Sequence, residues 1–170
     1  LYFITLFGLT FAQQEMTLED AVMQQYRKFY PERITGFSWL PNTTNYVYLS
    51  SDRGTLYKSS PVTQKEEVIL NKKDLNELLE TNLWGFYPIE FSNPHTFFMN
   101  NGISFYEVNL KERTGKTLHS LEDNATNPLF EPKTKKIAYL INNNVMMRDA
   151  NSKIFSVTKN DDPNIVSGQA

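Results

Sequence analysis

Hydrophobic and polar positions fall into three successive patterns along this chain. Residues 1–12 (LYFITLFGLTFA) form a short apolar run without polar alternation, ending at a small residue before Gln13, Gln14 and Glu15. Twelve residues span a bilayer poorly, so no membrane span is expected. The run fits the apolar and cleavage regions of a secretory signal peptide, cut after Ala12. A buried first strand is the competing reading, and the lack of alternation argues against it. A charged leader and an initiator Met do not precede the run, so the chain reads as clipped at that end.

Residues 13–35 then read as a helix and a linker. Thr17-Leu18-Glu19-Asp20 is a helix-start signature in which the Thr17 hydroxyl accepts from a first-turn N–H and Asp20 reaches back. The acidic residues suit the helix dipole. Leu18, Ala21, Val22, Tyr26 and Phe29 share one face at helical spacing, and Pro31 ends the helix. A packing helix of about three turns is predicted.

From Gly36 the period becomes that of strands, and a loose repeat emerges. The first unit predicts strands at Phe37–Pro41, Tyr46–Ser50, Thr55–Lys58 and Glu67–Leu70. The second predicts Ile89–Ser92, Thr96–Met99, Ser104–Asn109 and Thr117–Leu121. The third predicts Pro128–Pro132, Lys136–Ile141, Val145–Asp149 and Lys153–Thr158. Trp39, Phe91 and Phe130 lead the three units, 52 and 39 residues apart. The longer interval carries an inserted helix, Lys72–Asn82, with Leu75, Leu78 and Leu79 on one face. Asp52-Arg53-Gly54, Asn100-Asn101-Gly102 and Asn142-Asn143-Asn144 supply residues that tolerate positive φ in the central hairpins. Four short strands recurring at about 40 residues mark propeller blades. The fold class expected is therefore all-β: about three four-stranded blades of a partial β-propeller over residues 36–170, with one N-terminal and one inserted helix. A blade cannot bury both faces alone, so three blades leave two open flanks and the ring reads as truncated.

Composition narrows the function classes. The net charge of −2, with 21% charged residues, gives no electrostatic footprint for nucleic acid. Lys135 and Lys136 read as turn and surface residues. The absence of cysteine excludes disulfides, thiol catalysis and Cys-ligated zinc. Aromatics are abundant, with 12 Phe, 9 Tyr and 2 Trp, which favours strands.

Several motifs resemble the N-terminal propeller region of bacterial dipeptidyl peptidase IV-like enzymes, the prolyl oligopeptidase-type serine peptidases. They are the opening Met16–Val22, the strand Phe130-Glu131-Pro132 with Lys136–Tyr139, and the closing Ile165–Ala170. The resemblance covers nearly all of the chain after Ala12 and rests on the order and spacing of these motifs. It implies an eight-bladed propeller capping an α/β-hydrolase domain. That domain carries a Ser-Asp-His triad that removes dipeptides with proline or alanine second. It further implies an exported, secreted or periplasmic protein, peptide substrates engaged through the hydrolase domain, and a homodimer in full-length form. In the family, propeller carboxylates hold the substrate's amino terminus; that segment would begin just past Ala170. A propeller arginine contacts the substrate backbone, and the matching hairpin here, Asn100-Asn101-Gly102, lacks one.

On these grounds catalytic, substrate-binding and metal residues are each expected to be none, as are cofactors. Gly36-Phe37-Ser38-Trp39-Leu40 has half of a G-x-S-x-G elbow and lies on a strand, so Ser38 is not read as a nucleophile. Glu66-Glu67 reads as a solvated turn, not as an amine-binding pair, and Asp161-Asp162-Pro163 as a turn. His95 and His119 have no second histidine at ligand spacing. Asn42-Thr43-Thr44 and Asn124-Ala125-Thr126 match the glycosylation acceptor, which means nothing in a bacterial protein. The function expected is non-catalytic gating and substrate access within a serine dipeptidyl peptidase. The alternative is a non-catalytic propeller that binds peptides or proteins.

Overall fold

The computed structural model describes residues 17–23, 33–162 and 165–168. The chain divides into two compact units, 1–33 and 34–170. The apolar run 1–12, and Tyr26, Phe29 and Pro31 of the expected first helix, lie outside the described residues. Within the first unit, α1 spans Leu18–Met23. Its start is capped as the sequence predicts: Asp20 N–H donates to Thr17 Oγ1 at 3.0 Å, and the Thr17 hydroxyl donates to the Asp20 carboxylate at 2.9 Å. Leu18, Val22 and Met23 are all exposed, so the described turns bury none of the apolar face.

The second unit is three four-stranded antiparallel sheets, each a simple meander in chain order. The first holds β1 (Thr35–Trp39), β2 (Tyr46–Leu49), β3 (Thr55–Ser59) and β4 (Glu66–Asn71). Helix α2 (Lys72–Leu79) follows. The second sheet holds β5 (Ile89–Asn93), β6 (Thr96–Asn100), β7 (Ser104–Asn109) and β8 (Thr114–Ser120). The third holds β9 (Thr126–Glu131), β10 (Lys136–Ile141), β11 (Asn144–Arg148) and β12 (Ile154–Ser156). Every strand expected from the sequence is present, in an all-β fold with two helices among the described residues. Among the described residues the three sheets form no closed ring.

Side-chain alternation sets the packing. Paired residues of antiparallel strands share a face. On one face of the first sheet Val47, Leu49, Leu56 and Leu70 join Phe91, Phe97, Met99 and Tyr106 of the second in the main hydrophobic core. Leu75 and Leu79 of α2 complete it. The Asn71 side chain caps α2 by accepting from Asp74 N–H at 2.9 Å, and Glu80 ends it in the left-handed conformation, φ 51°. The helix lies directly on β8. A Cβ on Gly115 would stand 2.8 Å from the Leu78 carbonyl oxygen, which is why glycine occupies that strand position. A smaller core of Phe105, Leu121, Ile137 and Tyr139, with Phe130 against it, joins the second and third sheets.

Trp39, Phe91 and Phe130 occupy equivalent places. Each lies on the first strand of its sheet, opposite the start of the second: Trp39 with Tyr46, Phe91 with Phe97, Phe130 with Ile137. Phe91 and Phe130 point at the preceding sheet. Trp39 sits on the corresponding face of the first sheet and is 55% exposed.

Candidate functional site

Two clefts open between the sheets. The larger, about 490 Å³, lies between the first and second sheets where the β1–β2 and β5–β6 turns approach. Leu40, Val68, Ile69 and Leu110 give it an apolar floor, and the Lys58–Glu67 ion pair (2.7 Å), His95 and Lys111 border it. A second, about 340 Å³, lies between the second and third sheets and is lined by Phe98, Phe105, Phe130, Pro88, Pro128 and Glu90. Neither brings a serine, an imidazole and a carboxylate together.

The residues that drew notice in the sequence are dispersed. Ser38 is on β1, half-buried, and its hydroxyl donates to the Trp39 carbonyl at 3.4 Å. His95 is exposed in the β5–β6 turn. His119 is only 2% exposed, and its Nε2 is 2.8 Å from the Lys135 carbonyl oxygen. A carbonyl only accepts, so Nε2 donates, and Nδ1 is buried without a protein partner. Glu66 and Glu67 belong to β4, correcting the expectation of a turn. Glu66 accepts from the Tyr48 hydroxyl, and Glu67 pairs with Lys58. Their side chains engage two different partners, so they do not act as one anionic pair. The Asp162 backbone carbonyl accepts from Ile165 N–H at 3.1 Å, and Pro163 of the expected turn lies outside the described residues. In the Asn100–Gly102 hairpin, Asn101 Oδ1 accepts from the N–H groups of Ile103 and Ser104, and Gly102 has φ +98°. No group of three or more His, Asp or Glu able to hold a metal occurs among the described residues. No helix among them is long and apolar enough to cross a membrane.

The polar groups that bind the sheets together were not legible in the sequence. Lys135, expected at the surface, sits in the β9–β10 turn at φ +54° and spans to Glu107 of β7 at 2.7 and 3.0 Å. Lys116 also reaches Glu107, at 3.0 Å. Burial raises the Glu107 carboxyl, and the hydrogen bonds and charges of Lys135 and Lys116 more than offset this. The carboxyl is held below its ordinary value. Arg148, on β11, donates to the Ser120 carbonyl at 2.5 Å and to Glu122 at 2.8 Å, with its guanidinium over the Tyr139 ring. Between the first two sheets Arg113 pairs with Asp74 at 3.0 Å. Their partners lie 26 to 39 residues away in sequence, beyond the reach of any local motif.

No protein-family model matches the sequence, and no curated protein matches it. The fold is similar to that of bacterial dipeptidyl peptidase IV structures. One is a dipeptidyl aminopeptidase IV assignment from Bacteroides ovatus: TM-score 0.62, 23% identity, 76% of this chain and 18% of that one. Another is Porphyromonas gingivalis dipeptidyl peptidase 4: TM-score 0.51, 15% identity, 86% of this chain and 22% of that one. The chain thus spans about a fifth of the length of these proteins. At such identities the likeness is one of fold.

Proposed function

We propose that the chain is the N-terminal propeller portion of an exported serine dipeptidyl peptidase. Its three sheets are blades of an eight-bladed ring that gates peptide access to a hydrolase domain and takes no part in the chemistry. The carrying observation is the meander of three four-stranded sheets, aromatic-led in the same place, matching the Bacteroides ovatus structure over 76% of the chain. Ser38, His95 and His119 lie apart, whereas a triad needs its members within hydrogen-bond reach, so none of the three is assigned a catalytic role. Export, peptide substrates and a homodimer of the full-length protein belong to the same proposal. One observation favours a second reading, a non-catalytic propeller that binds peptides or proteins: the Asn100–Gly102 hairpin offers no arginine to a substrate backbone.

The test is an assay on a glycyl-prolyl reporter of two polypeptides, residues 1–170 and the full reading frame. The first should be inactive and the second should turn over and be blocked by a serine-directed reagent. An inactive, folded full-length protein would sink the peptidase reading in favour of the binder. Turnover by residues 1–170 that vanishes in Ser38→Ala would overturn the gating role.

A further inference from the structure

The face of the second sheet turned toward the third carries one cross-strand row. Glu90 of β5, Phe98 of β6, Glu107 of β7 and Lys116 of β8 stand side by side in it. Residues directly opposed on one face have Cβ atoms about 5 Å apart, so a carboxylate flanks Phe98 on each side. The two carboxylates are provided for differently. Glu107 is half-buried and is answered by two ammonium groups, Lys135 at 2.7 Å and Lys116 at 3.0 Å. Glu90 is exposed at the cleft of about 340 Å³ between the two sheets. Its carboxylate has no ion-pair or hydrogen-bond partner among the described residues. Lys135 and Lys116 are held at Glu107, two strand spacings or about 10 Å away, where exposed charges are largely screened.

The cleft beside Glu90 is aromatic, which is a second, independent observation. The Phe130 ring centroid lies 5.3 Å from that of Phe98 and 5.5 Å from that of Phe105, with the ring planes tilted by 59° and 35°. Phe98 and Phe105 are buried and Phe130 half-buried, while Pro88 and Pro128 border the same space. Its volume falls within the roughly 300–1,000 Å³ of small-molecule sites. Aromatic faces carry negative charge density and attract cations. An anion would be repelled by Glu90, and a neutral apolar molecule would leave that charge unanswered. A primary ammonium is a compact, strongly hydrated charge. A quaternary one spreads its charge over methyl groups that rest on rings without giving up hydrogen bonds to water, the chemistry of aromatic cages.

We propose that the cleft between the second and third sheets binds a small quaternary ammonium ion of the choline type, its methyl groups against Phe98, Phe105 and Phe130 and its charge facing Glu90. The ion supplies to Glu90 what Lys135 supplies to Glu107. It is taken as a free ion, because the phosphate of a lipid headgroup would be repelled by the same carboxylate. The site is built from two sheets of this chain and stands whether the whole protein is a peptidase or a binder.

The test is a titration of the 170-residue protein with choline, followed through the amide resonances of Phe98 and Phe130. Two further probes are the uncharged isostere with carbon in place of nitrogen, and phosphocholine. Choline should bind at least about tenfold more tightly than either. Glu90→Gln, at an exposed position, should weaken choline by about tenfold and leave the isostere unchanged. Phe130→Leu keeps apolar volume without a ring and should reduce the preference for choline over the isostere. No binding of choline, equal binding of choline and the isostere, or choline binding that ignores Glu90→Gln each overturns the proposal. Tighter binding of phosphocholine than of choline overturns the choice of a free ion. None of these readings involves turnover, so an inactive protein that binds choline defeats only the peptidase reading, and an active one that does not defeats only this site.

Discussion

The two interfaces between neighbouring sheets are built on different physics. The first is a continuous apolar core in which Val47, Leu56, Leu75, Phe86, Phe97 and Val108 are all fully buried. Such burial is non-directional and is worth roughly 25 cal/mol for each Å² of apolar surface removed from water. The second has a smaller core and depends on Lys135–Glu107, Arg148–Glu122 and the His119–Lys135 hydrogen bond. Four buried polar atoms there lack a protein partner: His119 Nδ1, Glu122 Oε2, Tyr139 Oη and Arg148 Nε. Polar contacts fix geometry well but cost desolvation, so they stabilise less per atom and respond to pH. The first interface is thus the anchor of the array, and the second the adjustable joint.

The sharpest test of the anchor is Leu56→Ala. Leu56 is 0% exposed within the main core, and its truncation should cost about 3 kcal/mol. Urea unfolding would show the midpoint falling by a similar amount at pH 7 and at pH 5; a strong pH dependence of the loss would blur the contrast. At the joint, Arg148→Met keeps the aliphatic stem but strands the Ser120 carbonyl and the Glu122 carboxylate. A loss of about 2 kcal/mol is expected, less than for a fully dry pair because Glu122 is partly exposed. A loss above that of Leu56→Ala would reverse the ranking of the two interfaces.

The smallest effect concerns Glu107. Its carboxyl titrates below the ordinary value of 4.5 in the folded chain. Its contribution is therefore present above the unfolded value and drains away as pH falls through the lower, folded one. Glu107→Gln should cost about 1 kcal/mol near neutrality and should flatten the decline of stability on the acid side of about pH 4.5. Parallel acid limbs for the two proteins would show that the carboxylate is not a stabilising partner of Lys135 and Lys116.

Strand existence and order were written in the sequence because alternation and turn residues act locally. Asn100-Asn101-Gly102 and Asn142-Asn143-Asn144 fall on the hairpins they predict, with positive φ at Gly102, Asn142 and Asn143. Boundaries moved where distant parts intervene. β8 begins at Thr114, ahead of the expected Thr117, since Gly115 lets α2 lie on the strand. β12 stops at Ser156 because Thr158 leaves the ladder: its hydroxyl donates to Asn144 and accepts from Val145 N–H. The clasping roles of Lys135 and Arg148 were invisible, since each partner belongs to another sheet. Nothing about one lysine in the run Lys133-Thr134-Lys135-Lys136 distinguishes a clasp from a solvated surface charge.

The aromatic face of the first sheet carries a consequence in time. Phe37, Trp39, Tyr46, Tyr48 and Tyr57 form an unbroken run of ring contacts with centroids 5.2 to 6.2 Å apart. A ribosome delivers this sheet before the other two, and in a closed ring its cover would be the last blade made. The stickiest surface of the array would then wait longest for a partner, which exposes the nascent chain to misassembly and favours holdase chaperones during synthesis.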